Sequence, residues 1–416
     1  MELIRFENGL RVVLDEMPRS KSAAICVYIG CGSHDEEKPC FGASHFIEHM
    51  LFKGTETRSA AEISEQMDEI GGNLNAYTTK EFTCVYSQTL EEHLPIAAEI
   101  LSDMLLRSKM TPQDVETERS VILEEIGMYE DSFEELCMDR LYLKIYPDSA
   151  LGGNILGTRE SVRQMTADRL RAHMAKYYVP ERTVISVCGK FQKETLLEIL
   201  ERQFGGLHNT KNPISVRPAV FSPGVTTEKK TSEQTHLIIA MPGLKIGAPE
   251  RFAHAIFSTI LGGTSSSRLY QRIREELGLA YSIYSFSGAH LEGGVFGVGA
   301  AVAHGAQRQT VNEIFSVLKD IKNGISEKEF LRTREQFKAS LVMGLEQNGS
   351  RASAMGRSIL LEGEYLDEET ILEKLDGLTP QEVSRAANKI LDFDRIALSV
   401  VGRPEKQEFY NPGNYL

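Results

Sequence analysis

His45, Glu48 and His49 stand out from an otherwise apolar run, His45-Phe46-Ile47-Glu48-His49-Met50-Leu51-Phe52. Two histidines four positions apart on a helix differ by about 40° of rotation and about 6 Å of rise, so both imidazoles project from one face. Such a pair closes on one zinc ion at N–Zn distances of about 2.0–2.1 Å. Glu48 shares that face but lies outside the ligand row, where it can hydrogen-bond a water that the metal polarises. Zinc brings the pKa of such a water towards about 7, and a carboxylate beside it then acts as general base. One histidine on an apolar helix is an ordinary core residue. Burying two with a glutamate and no partners is expensive, so the three together predict a metal centre on a buried helix.

A hydrolytic zinc site takes three protein ligands and leaves one position open. The helix expected after Thr111 offers Glu116, Glu118, Glu124, Glu125 and Glu130 as the third. Glu118 and Glu125 are seven residues apart, share a face and have Ile122 between them, whereas Glu124 points about 100° away from Glu125. Periodicity does not select among these carboxylates.

The elements that must position these residues occur twice. The segment MTPQDVETERSVILEEIGM from Met110 pairs with ISEKEFLRTREQFKASLVM from Ile325. Thr111 or Ser326 serves as N-cap, with Asp114 or Glu329 reaching back three residues later. Thr183–Lys190 pairs with Ile396–Arg403 as a β-branched run ending in Gly plus a base. His45–Thr55 pairs more weakly with His254–Thr264. These offsets of 209–215 residues read as a duplication. In the second copy Glu48 and His49 correspond to Phe257 and Ser258, and the face-sharing pair Glu118 and Glu125 to Thr333 and Ser340, so these polar residues are lost together and one zinc per chain is expected. Prolines 213, 218 and 223 mark a linker. The expected domains are 1–208, carrying the metal, a linker at 209–228, and 229–416, a homologous domain without it. Strands interleaved with capped helices, such as the Ser59-initiated helix that stops at Gly71, imply an α+β fold: in each domain a mainly antiparallel sheet with helices on one face.

The bulk composition excludes several classes. The 416 residues carry a net charge of -13, unsuited to gripping nucleic acid. Six cysteines, all in the first half and without a CxxC pair, read as free thiols of a reducing compartment. No signal peptide and no apolar run of about 18 residues is visible, so a cytoplasmic protein with no membrane partner is expected.

The order HxxEH inverts the HExxH signature of zinc peptidases. With the longer run His45–Thr55, then GGNLNAYTTKEFT from Gly71 and ERSVILEEI from Glu118, the whole chain resembles the pitrilysin/insulinase family of inverzincin peptidases. It is most similar to the short branch that contains the catalytic subunit of the mitochondrial processing peptidase and its bacterial homologues. The resemblance implies a zinc endopeptidase acting on unfolded peptides or short protein segments. It implies Glu125 as third ligand and Glu118 as a carboxylate orienting a ligand histidine. Arg274 and Tyr281 of the second half would engage substrate and oxyanion, in a clamshell of two domains. Asn75, Ala76 and Tyr77 would form an edge strand that pairs with substrate backbone, and the chain would form a homodimer. Some relatives are peptide-binding or assembly subunits with little activity. Those typically lose the metal set, which is complete here, and the short Gly262-Gly263-Thr264 suits a catalytic chain. One departure is Gly32-Ser33-His34-Asp35-Glu36, where the family often has Gly-Ser-Arg. A histidine of a surface loop is the expectation for His34.

Overall fold

The computed structural model describes residues 1–209 and 218–415. Most of the expected linker's first half therefore lies outside the described residues, and from Gly224 the chain is already strand. Two compact units emerge. One gathers Met1–Ile126, 154–209 and Met343–Tyr365. The other gathers Gly127–Gly153, 218–342 and 366–415.

The first unit holds a six-stranded sheet. Its strands are β1 (Glu2–Arg5), β2 (Arg11–Glu16), β3 (Ser22–Ile29), β4 (Asn73–Thr78), β5 (Thr83–Leu90) and β6 (Thr183–Gly189), in the order β1-β2-β6-β3-β5-β4. Only β2 and β6 run parallel. The second unit holds β7 (Gly224–Lys229), β8 (Gln234–Pro242), β9 (Ala280–Ala289), β10 (Gly294–Ala303) and β11 (Ala397–Gly402), in the order β7-β11-β8-β10-β9, with β7 and β11 parallel. Leaving aside the edge strand β1, substituting β7, β11, β8, β10 and β9 for β2, β6, β3, β5 and β4 turns one order into the other. The duplicated sequence is thus a duplicated topology, and the fold is α+β with two mainly antiparallel sheets.

Side chains alternate between sheet faces along each strand. On one face of the first sheet, Val12, Leu14, Ile25, Val27, Ile185 and Val187 join a core with residues of helices Ala43–Leu51, Leu94–Arg107 and Lys193–Phe204. On the other, Val13, Ala24, Cys26, Tyr28 and Val184 pack with Ala352, Met355 and Ile359 of helix Asn348–Leu361. The second sheet repeats the plan. Leu237, Ile239, Phe296, Val298 and Val400 join a core with residues of helices Arg251–Ser258, Gln307–Ile321 and Pro380–Ile390. Ile238, Ala240, Ala397 and Val401 pack with Leu136, Cys137 and Leu141 of helix Phe133–Ile145.

Each sheet is therefore covered on its second face by a helix drawn from the other half of the sequence. The expectation of helices on one face describes the main layer and leaves this exchanged helix out. Burial on both faces is why β3 reads SAAICVYI, a nearly unbroken apolar run. The exchange carries a matched device. Ser186 Oγ on β6 donates to the Ala352 carbonyl at 2.7 Å, and Ser399 Oγ on β11 donates to the Cys137 carbonyl at 2.7 Å. Both serines are fully buried, and they occupy equivalent places in the two copies. Close approach on the first sheet also needs Gly356, where a Cβ would lie 2.5 Å from the Tyr28 ring.

The long helices Pro112–Asp131 and Glu327–Leu345 start as their sequences require. Thr111 Oγ1 accepts the Asp114 N–H at 3.1 Å, and Ser326 Oγ accepts the Glu329 N–H at 3.3 Å. Burial alone would raise the Glu329 carboxyl. Arg268, Ser326 and the Ser326 N–H outweigh it and hold the group down at about 2.

Ser186→Ala and Ser399→Ala are each expected to cost about 1 kcal/mol in denaturant unfolding, and to add in the double variant because they share no partner. Glu329 contributes stability that is complete above its unfolded pKa and lost as the pH falls from about 4.5 to about 2. A thermal-midpoint series across that window should fall less steeply for Glu329→Gln than for the parent.

Candidate metal centre

Helix Ala43–Leu51 starts without a side-chain cap of its own. Gly42 takes the N-cap place at φ 89°, where a Cβ would also strike the Leu156 carbonyl at 2.5 Å. The first turn is satisfied from outside. Both oxygens of buried Glu36 accept backbone N–H groups, from Gly42 at 2.6 Å and from Ser44 at 2.7 Å. When ionised, Glu36 meets the positive end of the helix dipole. Burial pushes the Glu36 carboxyl up to about 8, against the pull of those N–H donors. Ser44 Oγ lies 3.3 Å from His173 Nε2, and Cys31 Sγ lies 3.2 Å from the same nitrogen, so Cys31 is engaged away from the metal set.

His45 is 8% exposed. His45 Nε2 and His49 Nε2 both turn towards Glu125 Oε2, at 3.6 and 3.5 Å. Their rings meet edge to face at 4.7 Å between centroids. Those N···O separations are long for hydrogen bonds. They match a tetrahedral zinc site, whose bond lengths of about 2.0–2.2 Å set ligand atoms roughly 3.3–3.6 Å apart. Glu125 Oε2 is buried and makes no hydrogen bond among the described residues, an orphaned acceptor that a divalent cation would satisfy. Nitrogen, nitrogen and carboxylate oxygen form a donor set suited to zinc. Burial, then the neighbouring His49, pushes His45 down to about 4, which keeps it the neutral imidazole a metal requires.

The carboxylates around this point have different partners. Glu48 Oε2 accepts the Thr78 hydroxyl at 2.6 Å. Burial raises the Glu48 carboxyl, against the Thr78 hydrogen bond, which makes it a stronger base than a free glutamate. Glu118 Oε2 lies 3.0 Å from His49 Nδ1, and its Oε1 lies 2.5 Å from Lys53 Nζ. Glu118 is 3% exposed. On the same helix Glu116 pairs with Arg119, and Glu116 and Glu124 face solvent. The buried stripe is Val115, Glu118, Ile122 and Ile126.

Asn75, Ala76 and Tyr77 lie on β4 at the sheet edge. β4 pairs with β5 on one side only. Asn75 is exposed, Ala76 joins the core beneath the metal helix, and Tyr77 packs on the opposite face against Phe82 and Tyr86. Arg274 and Tyr281 belong to the second unit. The Arg274 guanidinium lies 4.9 Å from the Tyr270 ring and 5.3 Å from the Tyr281 ring, and Tyr281 is 73% exposed.

Three residues of the centre escape the sequence reading: Glu36, Lys53 and Thr78. Lys53 follows His49 by four positions, the one available hint. His34 differs from expectation. Its side chain is only 8% exposed and its Nδ1 lies 3.7 Å from Glu81 Oε2, because the 3-10 turn Ser33–Asp35 folds inward against the Lys80 carbonyl. In the second copy His254 Nε2 lies 2.8 Å from Ser287 Oγ, Ser258 Oγ lies 3.1 Å from Ser285 Oγ, and Phe257 is core. Among the described residues only His45, His49 and Glu125 gather three ligand atoms within 4.8 Å.

Comparison with known proteins bears on the family of the chain. Residues 11–159 match the sequence profile of insulinase (peptidase family M16), and residues 164–337 that of the peptidase M16 inactive domain. The uncharacterised zinc protease YmxG of Bacillus subtilis (strain 168) is 37% identical over 391 residues, covering 93% of this chain and 95% of its own. An uncharacterised zinc protease of Streptomyces coelicolor is 35% identical over 409 residues, covering 95% and 88%. Among solved structures, the peptidase M16 inactive domain from Pseudomonas fluorescens superposes with a TM-score of 0.91 at 18% identity, covering 97% of this chain and 98% of its own. A protease from Helicobacter pylori superposes at 0.89 and 20% identity, covering 97% and 99%. These two likenesses are of fold. The matched profiles, and the relatives that share more than a third of its residues along nearly its whole length, place the chain in the M16 (insulinase) family of peptidases.

Proposed function

We propose that this chain is a zinc-dependent endopeptidase that hydrolyses unfolded peptides or short protein segments, with one zinc per chain. The observation that carries the proposal is the convergence of His45, His49 and Glu125 on one point, with Glu48 beside it on the same helix. Zinc held by those three residues would supply Lewis acidity to a scissile carbonyl and acidity to a water. Glu48 takes the proton of the attacking water and returns it to the leaving amine, and Thr78 holds the carboxylate in place for both transfers. Glu118 accepts the Nδ1–H of His49 and so fixes the tautomer that leaves Nε2 free as a ligand. The outer edge of β4 offers N–H and C=O groups to an extended peptide, a mode tolerant of side-chain sequence. Arg274 and Tyr281 are assigned to substrate handling through the family resemblance.

Glu48→Gln should retain zinc while kcat for a quenched peptide falls by a factor of about 10² or more. Full hydrolysis at full zinc content would refute the proposal. Zinc added to chelator-treated protein should raise the thermal midpoint of the parent, since ligand binding to the folded state stabilises it. His45→Ala and Glu125→Ala should abolish that rise. A rise of equal size in all three proteins would place the metal elsewhere.

A further inference from the structure

We infer that Lys53 is a positioning residue of the metal centre. It holds the Glu118 carboxylate in the one orientation that fixes the His49 ring. The inference rests on reading the site as a zinc centre and extends it to a residue outside the ligand set.

Lys53 comes just after the C-cap of helix Ala43–Leu51, where its N–H donates to the Met50 carbonyl at 3.1 Å. The chain turns away immediately afterwards at Gly54, φ 101°. Lys53 thus leaves the helix on the side of His49, one helical turn earlier, and its ammonium meets Glu118 on helix Pro112–Asp131. The two oxygens of Glu118 are divided. Oε1 lies 2.5 Å from Lys53 Nζ, and Oε2 lies 3.0 Å from His49 Nδ1. The Glu118 side chain is 4% exposed and that of Lys53 is 34% exposed. The carboxylate is therefore inside while the lysine reaches it from the rim along its stem.

A buried carboxylate needs both a counter-charge and donors for its oxygens. Histidine alone supplies one neutral N–H. Lys53 supplies the charge and the second donor. Without it Glu118 gains by turning towards water, and His49 Nδ1 loses its acceptor. His49 then rotates and exchanges tautomers, and its Nε2 no longer faces Glu125 for most of the time. Partners of this kind behind a ligand histidine typically change metal affinity 10–100-fold. A lysine of purely electrostatic effect would act oppositely: removing a positive charge beside a cation site tightens cation binding. The sign of the change therefore separates the two roles.

The test compares the parent with Lys53→Met, Lys53→Arg and Glu118→Gln as full-length chains. Zinc affinity is measured by competition with a chromophoric chelator. Lys53→Met should bind zinc about 10-fold or more weakly, Lys53→Arg should bind close to the parent, and adding Lys53→Met to Glu118→Gln should cost little more. A second measurement uses metal-free protein with 15N-labelled histidine. At a pH high enough to keep the His49 ring neutral, the parent should show a single Nδ1–H tautomer there, and Lys53→Met a mixture. The thermal midpoint of each metal-free variant identifies any that fails to fold, and the milder Lys53→Gln then takes the place of Lys53→Met. Zinc affinity in the folded lysine variant equal to or above the parent's, or an unchanged His49 tautomer, overturns the inference. A parent that binds no zinc instead sinks the proposed function, so the two failures are distinguishable.

Discussion

The constraint on which the rest depends is that helix Ala43–Leu51 is buried and yet carries chemistry. All but two of its nine residues are buried, and the two that are partly open are Glu48 and His49. A helix in that position needs partners from the protein for its free N–H groups and its polar side chains, and here only His45 Nδ1 lacks a hydrogen bond among the described buried polar side-chain atoms of the helix. Glu36 answers the first turn, Thr78 answers Glu48, Glu118 answers His49, and the Nε2 atoms of both histidines face Glu125. Those partners come from the loop after β3, from β4 and from helix Pro112–Asp131. The sheet and the long helix must therefore be assembled before the site has its shape, and shifting any one of them exposes a buried charge.

The second unit shows what the same framework does without that burden. Its equivalent helix, Arg251–Ser258, places Phe257 in the core where the first unit has Glu48, and the Nε2 of His254 meets a serine hydroxyl. Core packing, strand order and the cap at the head of the long helix are kept. The polar residues have gone as a group, since a buried glutamate or histidine without its partners is a cost with no return. The duplicated serines at Ser186 and Ser399 mark a constraint that both halves retain.

Much of this was legible in the sequence because it is local. The four-residue spacing of His45 and His49, the caps at Thr111, Ser326 and Ser59, and the paired β-branched runs each arise from one turn of helix or one strand. The choice among Glu116, Glu118, Glu124, Glu125 and Glu130 was half legible: helical geometry gave a shared face for Glu118 and Glu125, the family resemblance gave them different roles, and the fold sets one beside His49 Nδ1 and the other beside both Nε2 atoms. Glu36, Lys53 and Thr78 were not legible. Their partners are eight, 65 and 30 residues away, and no periodicity links a carboxylate to a helix N-terminus in another element. The exchanged helices escaped for the same reason, since a reading by contiguous halves assigns each helix to its own half.

That exchange sets a schedule for synthesis. When the ribosome has delivered residue 189, all six strands of the first sheet exist, but Ala352, Met355 and Ile359 do not. At roughly 5–20 residues per second the gap lasts on the order of ten seconds. Throughout it the face bearing Val13, Ala24, Tyr28 and Val184 is bare. The first unit is thus unfinished for most of its own translation, and a chain cut between the two sequence halves would yield two fragments, each missing a wall. A first fragment that also carries residues 343–365 is the one that can close that sheet by itself.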